Sequence, residues 1–123
     1  KLIIENLLSE EMFSGFGIRT LNSKAKNYNP NSYHNGSVWA HDTIICALGM
    51  NKYGFKEEAS KVALGILEAA KYWGIYSLPE LFSGYDNETW KEPIAYPEAC
   101  SLQGWSSASL FGCLYILDSR DNK

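Results

Sequence analysis

The chain has 123 residues, of which 46% are hydrophobic and 20% are charged, values that fit one globular domain and exclude a disordered chain. Its net charge of −3 is spread over scattered residues and gives no electrostatic basis for binding nucleic acid or an anionic membrane. No apolar run approaches the roughly 18 residues of a membrane span, and the absence of a signal-peptide pattern at the start favours the cytoplasm.

The first half of the chain alternates helical and turn-rich segments. Residues 1–13 have the spacing of a short helix or of the end of a longer one. Residues 14–21 contain two glycines, which end it, and residues 22–37 are rich in turn-forming residues. The apolar spacing over residues 41–52 predicts a helix, with Gly54 as its C-terminal stop.

The second half contains two helical segments on either side of a long loop. Residues 56–74 place apolar side chains on one broad stripe, as an amphipathic helix does. Residues 75–99 hold three prolines and no sustained period, which predicts a loop of about 25 residues. Residues 102–119 are apolar around most of the circumference, so we expect a deeply buried helix. The sum predicts an all-α fold whose long loops build a site.

The chain has three cysteines, Cys46, Cys100 and Cys113. Their odd number and the lack of CxxC spacing indicate free thiols rather than a disulfide framework or a zinc site. His34, His41 and Asp42 could be read as metal ligands, but no cysteine or further histidine completes a set. We therefore expect neither a metal nor a cofactor.

Residues 28–42, YNPNSYHNGSVWAHD, combine two histidines, three asparagines, two tyrosines and a tryptophan. Amide and imidazole groups can exchange hydrogen bonds with sugar hydroxyls, and an indole ring offers a stacking face. A polar loop without a ligand is the alternative. The candidate substrate-binding residues in this segment are Tyr33, His34, Asn35, Trp39, His41 and Asp42.

Four segments carry a family resemblance: MFSGFGIRTL, YNPNSYHNGSVWAHD, LPELFSGY and YPEACSLQGWSSAS. In unbroken order over nearly the whole chain, they resemble the C-terminal part of bacterial glycogen-debranching-like amylo-α-1,6-glucosidases, which belong to the six-hairpin glycosidases. The resemblance implies a partial (α/α)6 toroid, with residues 1–123 as a single domain forming about its last third. It also implies an inverting glycoside hydrolase that acts on α-glucosidic bonds of glycogen-like or oligosaccharide substrates.

The same resemblance places the general base at Glu80, about two dozen residues ahead of the GW pair at 104–105. The apolar neighbours of Glu80 predict partial desolvation, with an exposed loop glutamate as the alternative. An inverting enzyme needs a second carboxyl group about 6.5–9.5 Å away. The family's general acid is an aspartate in a part of the barrel that precedes Lys1, and no residue here corresponds to it. We therefore expect the chain alone to be inactive.

Three further residues complete the predicted site. Arg19 is a candidate to bond a hydroxyl or to steady a carboxylate, with a structural salt bridge as the alternative. Gln103 and Trp105 are expected to support the site from the last helix, although Trp105 could also be a core residue.

Two other functions stay open from the sequence: a non-catalytic carbohydrate-binding remnant, and a helical interaction module. One third of a toroid leaves apolar helix faces unburied, and such patches drive association. We therefore expect a homo-oligomer or association with the missing N-terminal part of the barrel, in addition to a glucan or oligosaccharide ligand.

Overall fold

A computed structural model describes residues 1–74 and 77–121 of the chain. Its four helices are α1 (Leu2–Leu7), α2 (Ala40–Lys52), α3 (Lys56–Ala70) and α4 (Gly104–Asp121). The remaining backbone pairing in these residues consists of isolated β-bridges rather than strands. The predicted all-α class is therefore confirmed. Among the described helices, none is both long enough and apolar enough to cross a membrane.

The predicted helices agree with the observed ones to within a few residues, except at two ends. Helix α1 ends at Leu7 because the following amides form three-residue turns: the Ser9 amide donates to the Asn6 carbonyl at 3.1 Å. Helix α3 ends at Ala70, four residues before the predicted end at Gly74. The predicted loop begins with Ile75 and Tyr76, which lie outside the described residues, and its described part, residues 77–99, contains no helix.

Helices α2, α3 and α4 pack against one another and enclose the main core. Val62 and Ile66 of α3 are fully buried, as are Cys113 and Ile116 of α4, while Ile44 of α2 is 5% exposed. Burying an aliphatic side chain of this size contributes about 1.5–3 kcal/mol relative to leaving it in water. The apolar stripe of α3 thus faces the other two long helices, as its periodicity predicts.

The prediction that α4 is deeply buried is wrong. Cys113 and Ile116 face the core, but Phe111 is 76% exposed, Leu114 58% and Tyr115 62%. The reason is that α2 and α3 cover only one side of the helix. Helix α4 is therefore apolar around most of its circumference, yet one of its apolar faces is exposed to solvent.

Backbone bridges hold the loops together at the ends of α2 and α4. Val38 and Phe82 exchange two backbone hydrogen bonds, of 2.9 and 3.0 Å. Each of these residues also bridges a further segment, Val38 to Arg19 and Phe82 to Ala95. Four segments distant in sequence therefore lie side by side, and residues 31–39 come next to residues 80–84.

Candidate functional site

Glu80 lies where the two long loops meet, and its carboxylate is bound by Tyr33. The Tyr33 hydroxyl donates a hydrogen bond of 2.7 Å to Glu80 Oε1. Glu80 is partly buried, and its chain neighbours Pro79 and Leu81 are buried. Glu80 is thus anchored between two buried residues while it stays accessible to solvent.

The backbone of Glu80 is fixed from the segment that leads into α4. Its amide donates to the Cys100 carbonyl at 2.9 Å. The Ser106 hydroxyl, in the first turn of α4, donates to the Glu80 carbonyl at 3.2 Å. These two hydrogen bonds, one from the amide and one to the carbonyl, fix the position of the Glu80 backbone and therefore of its Cα–Cβ bond.

The backbone of Tyr33, the partner of Glu80, is also fixed by hydrogen bonds. Its carbonyl accepts hydrogen bonds from Trp39 Nε1 at 3.1 Å and from the Ser37 hydroxyl at 2.8 Å. Ser37 is fully buried and Trp39 is 9% exposed. The two donors therefore tie the turn that carries Tyr33 to the start of α2.

A connected series of aromatic ring contacts extends from Tyr33, the partner of Glu80. The rings of this aromatic cluster belong to Tyr33, His34, Trp39, His41, Tyr96 and Trp105. Tyr33 meets Trp39 edge-on at 4.8 Å, and His41 stacks on Trp105 at 4.2 Å with 13° between the ring planes. Such geometries contribute about 0.5–1.5 kcal/mol per pair beyond burial.

The members of the aromatic cluster differ in exposure: a buried ring supports the others, and the exposed rings can contact a ligand. Trp39 is almost completely buried, so its ring serves mainly to hold Tyr33 and His34. Trp105 is 53% exposed and Tyr33 is 36% exposed. The rings available to a ligand are therefore those of Tyr33, His34 and Trp105.

The hydrogen bond to Glu80 also changes the acidity of Tyr33. Acceptance by the carboxylate, followed by desolvation and by the negative charge of Glu80, raises the pKa of Tyr33 to about 12. A phenol loses its proton more reluctantly when the proton is bound by an anion. Tyr33 therefore remains a donor to Glu80 at every physiological pH.

His41 is fixed by stacking rather than by a hydrogen bond at its inner nitrogen. Its Nδ1 atom is buried and has no hydrogen-bond partner among the described residues. Leaving a buried polar atom unpaired costs about 1–3 kcal/mol. The stacked Trp105 ring and the edge contact with Trp39 hold the imidazole in this position.

Three other predicted residues are close in sequence to members of the aromatic cluster and differ in exposure. Asn35 is exposed, and its carbonyl closes the loop by accepting the Asn29 amide at 2.8 Å. Asp42 is exposed in the first turn of α2. Gln103 is partly buried immediately before α4, and its carbonyl accepts the Ser107 amide at 2.9 Å.

Arg19 has no bond to this cluster. It is 5% exposed, and it donates to the Gly84 carbonyl at 2.7 Å and to the Glu10 carbonyl at 2.9 Å. It also lines a separate cleft of about 830 Å³, together with Asp86 and Glu88. Both of its bonds therefore join loop backbones, and the structure gives Arg19 a structural role.

Sequence reasoning did not single out Ser37, Tyr96 or Ser106. Tyr96 lies 5.9 Å from the Tyr33 ring, and the two serines act through backbone carbonyls. Tyr96 and Ser106 belong to the segment YPEACSLQGWSSAS, which carries part of the family resemblance. Their contacts depend on the fold, however, and no local pattern indicates them.

The chain was compared with known protein-family models, and no family model matches it. Comparison with curated proteins likewise gave no match.

Proposed function

We propose that this chain supplies the general base and the sugar-binding surface of an inverting glycoside hydrolase that acts on α-glucosidic bonds. The observation that supports this most strongly is the Tyr33–Glu80 hydrogen bond of 2.7 Å, set among exposed aromatic rings. An accessible carboxylate beside stacking surfaces is suited to a polyhydroxylated ring. The four sequence segments that resemble amylo-α-1,6-glucosidases converge on the same function.

The aromatic cluster would bind sugar by two kinds of contact. The apolar C–H face of a pyranose packs on an exposed ring, and Trp105 offers such a ring beside His41. The hydroxyl groups at the edge of the pyranose need hydrogen-bond partners. The exposed side chains of His34 and Asn35 supply donors and acceptors there.

Glu80 would act on the water that attacks the anomeric carbon. Its Oε1 atom is bound by Tyr33, so in this proposal Oε2 accepts the proton of the water. Inverting hydrolysis needs a second carboxyl group about 6.5–9.5 Å from the first, on the other side of the scissile bond. We place that general acid in the remainder of an (α/α)6 toroid, of which α1–α4 form a part.

Loss of either carboxyl group removes most of the rate of such an enzyme. We therefore expect the isolated chain to bind maltooligosaccharides without catalysing multiple turnovers. The assay is release of reducing sugar from maltooligosaccharides over many hours, with Glu80→Gln as the matched control. Multiple turnovers that disappear in Glu80→Gln would show that the base is right and that the acid lies in this chain. Turnovers that persist in Glu80→Gln would contradict the assignment of the base.

A non-catalytic carbohydrate-binding protein is the second candidate. It is favoured by the engagement of Glu80 with Tyr33, because a carboxylate held in this way can also accept hydrogen bonds from sugar hydroxyls. The two functions differ in one respect: a hydrolase would gain activity when the missing helices are restored by fusion or by co-expression. The binding protein would not.

A further inference from the structure

One face of α4 carries large apolar side chains into solvent. This α4 outer face is formed by Gly104, Ala108, Phe111, Leu114 and Tyr115, and exposed Leu102 lies just before the helix. Leu102 is 72% exposed and Phe111 is 76% exposed. No residue from 102 to 117 is charged, and exposed Asp118 follows them on the helix. The face therefore favours a mainly apolar partner.

The size of the face can be compared with one side of a protein dimer. Phe111 is 76% and Tyr115 62% exposed, so at roughly 150–250 Å² for each aromatic side chain these two rings leave about 200–350 Å² in water. Leu114 and Ala108, which are also exposed, add to this area. A homodimer interface is roughly 65% apolar and buries about 800 Å² on each partner. The α4 outer face therefore supplies a large part of the apolar area that one such interface requires.

The face also contains both a protruding ring and a groove that fits it. Small residues, Gly104, Ser107 and Ala108, line a groove of about 380 Å³ together with Leu110, Phe111 and Leu114. A cavity of about 150 Å³ already accommodates a benzene ring, so the groove has room for a phenylalanine side chain. The exposed ring of Phe111 is part of the groove wall and lies about one turn beyond Ala108 on the same helix.

We propose that this face binds a second copy of the chain through an antiparallel, two-fold pairing of the α4 helices. In this pairing, Phe111 of each copy enters the groove beside Gly104 and Ala108 of the other. An interface whose two halves are the same patch must be self-complementary, and a ring and a groove on one helix meet that condition. The small residues let the helices approach closely.

The dimer goes beyond the proposed hydrolase function, and it is tested without a carbohydrate ligand. Ser106, which bonds the Glu80 carbonyl, is fully buried and lies on the opposite side of α4 from Ala108 and Phe111. Pairing through the α4 outer face therefore leaves the contact between Ser106 and Glu80 in place in both copies. Failure of carbohydrate binding would say nothing about the dimer, and the reverse also holds.

Sedimentation velocity over a concentration series tests the proposal. At about 100 µM, a concentration that a standard-size interface of modest affinity populates, we expect a species of twice the 13.8 kDa monomer mass. Phe111→Glu should raise the dissociation constant at least about 100-fold, because two central rings are lost at once. The control is Tyr53→Glu, since Tyr53 is 79% exposed and lies outside the face. It should dimerise like the native chain.

A cysteine at Ala108 tests the geometry directly. The antiparallel pairing brings Ala108 next to its own copy, so Ala108→Cys in a Cys100→Ser background should form a disulfide-linked dimer on mild oxidation. Circular dichroism confirms that each variant is folded. Three results would overturn the proposal: a monomer at all concentrations, a dimer unaffected by Phe111→Glu, or open-ended assembly without the Ala108→Cys cross-link.

Discussion

Removal of the Glu80 carboxylate should make Tyr33 easier to ionise. The pKa of Tyr33 is about 12 because the hydroxyl donates to that carboxylate, so in Glu80→Ala it should fall toward the ordinary value of 10.0. At about pH 11, a phenol with a pKa of 12 is roughly one-tenth ionised and one with a pKa of 10 is roughly nine-tenths ionised. At this pH, Glu80→Ala should therefore show nearly one more ionised tyrosine per chain than the native protein.

The assay is alkaline difference spectroscopy of the phenolate band. Because the chain has eight tyrosines, the signal of Tyr33 is isolated by subtracting the titration of Tyr33→Phe. Glu80→Gln keeps an acceptor oxygen but loses the charge, so its Tyr33 should ionise between those of the native chain and Glu80→Ala. Identical titrations of Tyr33 in the native chain and in Glu80→Ala would refute the hydrogen bond.

The same pair gives a pH dependence of stability with a definite sign. Folded Tyr33 retains its proton between about pH 10 and pH 12, whereas in the unfolded chain Tyr33 loses it. The native state therefore binds more protons there, and the stabilising contribution, complete below about pH 10, is lost as the pH rises. Tyr33→Phe should lack this part of the alkaline loss in chemical denaturation.

Further predictions concern the loops and the thiols. In Gly84→Ala the new Cβ atom would lie 1.7 Å from the Gly36 carbonyl oxygen, so we expect urea denaturation to show a loss of at least about 3 kcal/mol. Gly49→Ala is the control: nothing lies within 4 Å of its new Cβ, and alanine in this helix interior should add about 0.5–1 kcal/mol. With a thiol reagent, exposed Cys100 should react in the native state. Cys113, whose pKa burial raises to about 12, should react only after unfolding.

The helices could be predicted from the sequence because their signals are local. The stripe of α3 repeats over four turns, and Gly54, with φ of +87°, follows the end of α2 as a left-handed stop. The burial of α4 could not be predicted in the same way. An apolar circumference shows which side chains tolerate burial, but it does not show how many neighbouring helices cover them.

In the candidate site, too, the features set by local sequence could be predicted, and the contacts between distant segments could not. The turn-forming residues around Asn35 predict the loop that carries Tyr33, and the apolar flanks of Glu80 predict its partial burial. The contact between Tyr33 and Glu80 spans 47 residues and depends on the backbone pairing of Val38 with Phe82. Pairing of this kind is set by the packed fold rather than by local sequence, so the partner of Glu80 became known only from the structure.

Carbohydrate binding at the aromatic cluster is tested most directly by following the indole N–H signals of the four tryptophans in nuclear magnetic resonance spectra during titration with maltotriose. The signal of Trp105 should shift in a saturable manner, and Trp105→Ala should abolish the binding. The signal of Trp90, whose ring contacts Tyr85 away from the cluster, should stay in place. The absence of any saturable shift, or a shift confined to Trp90, would contradict a carbohydrate site beside Glu80.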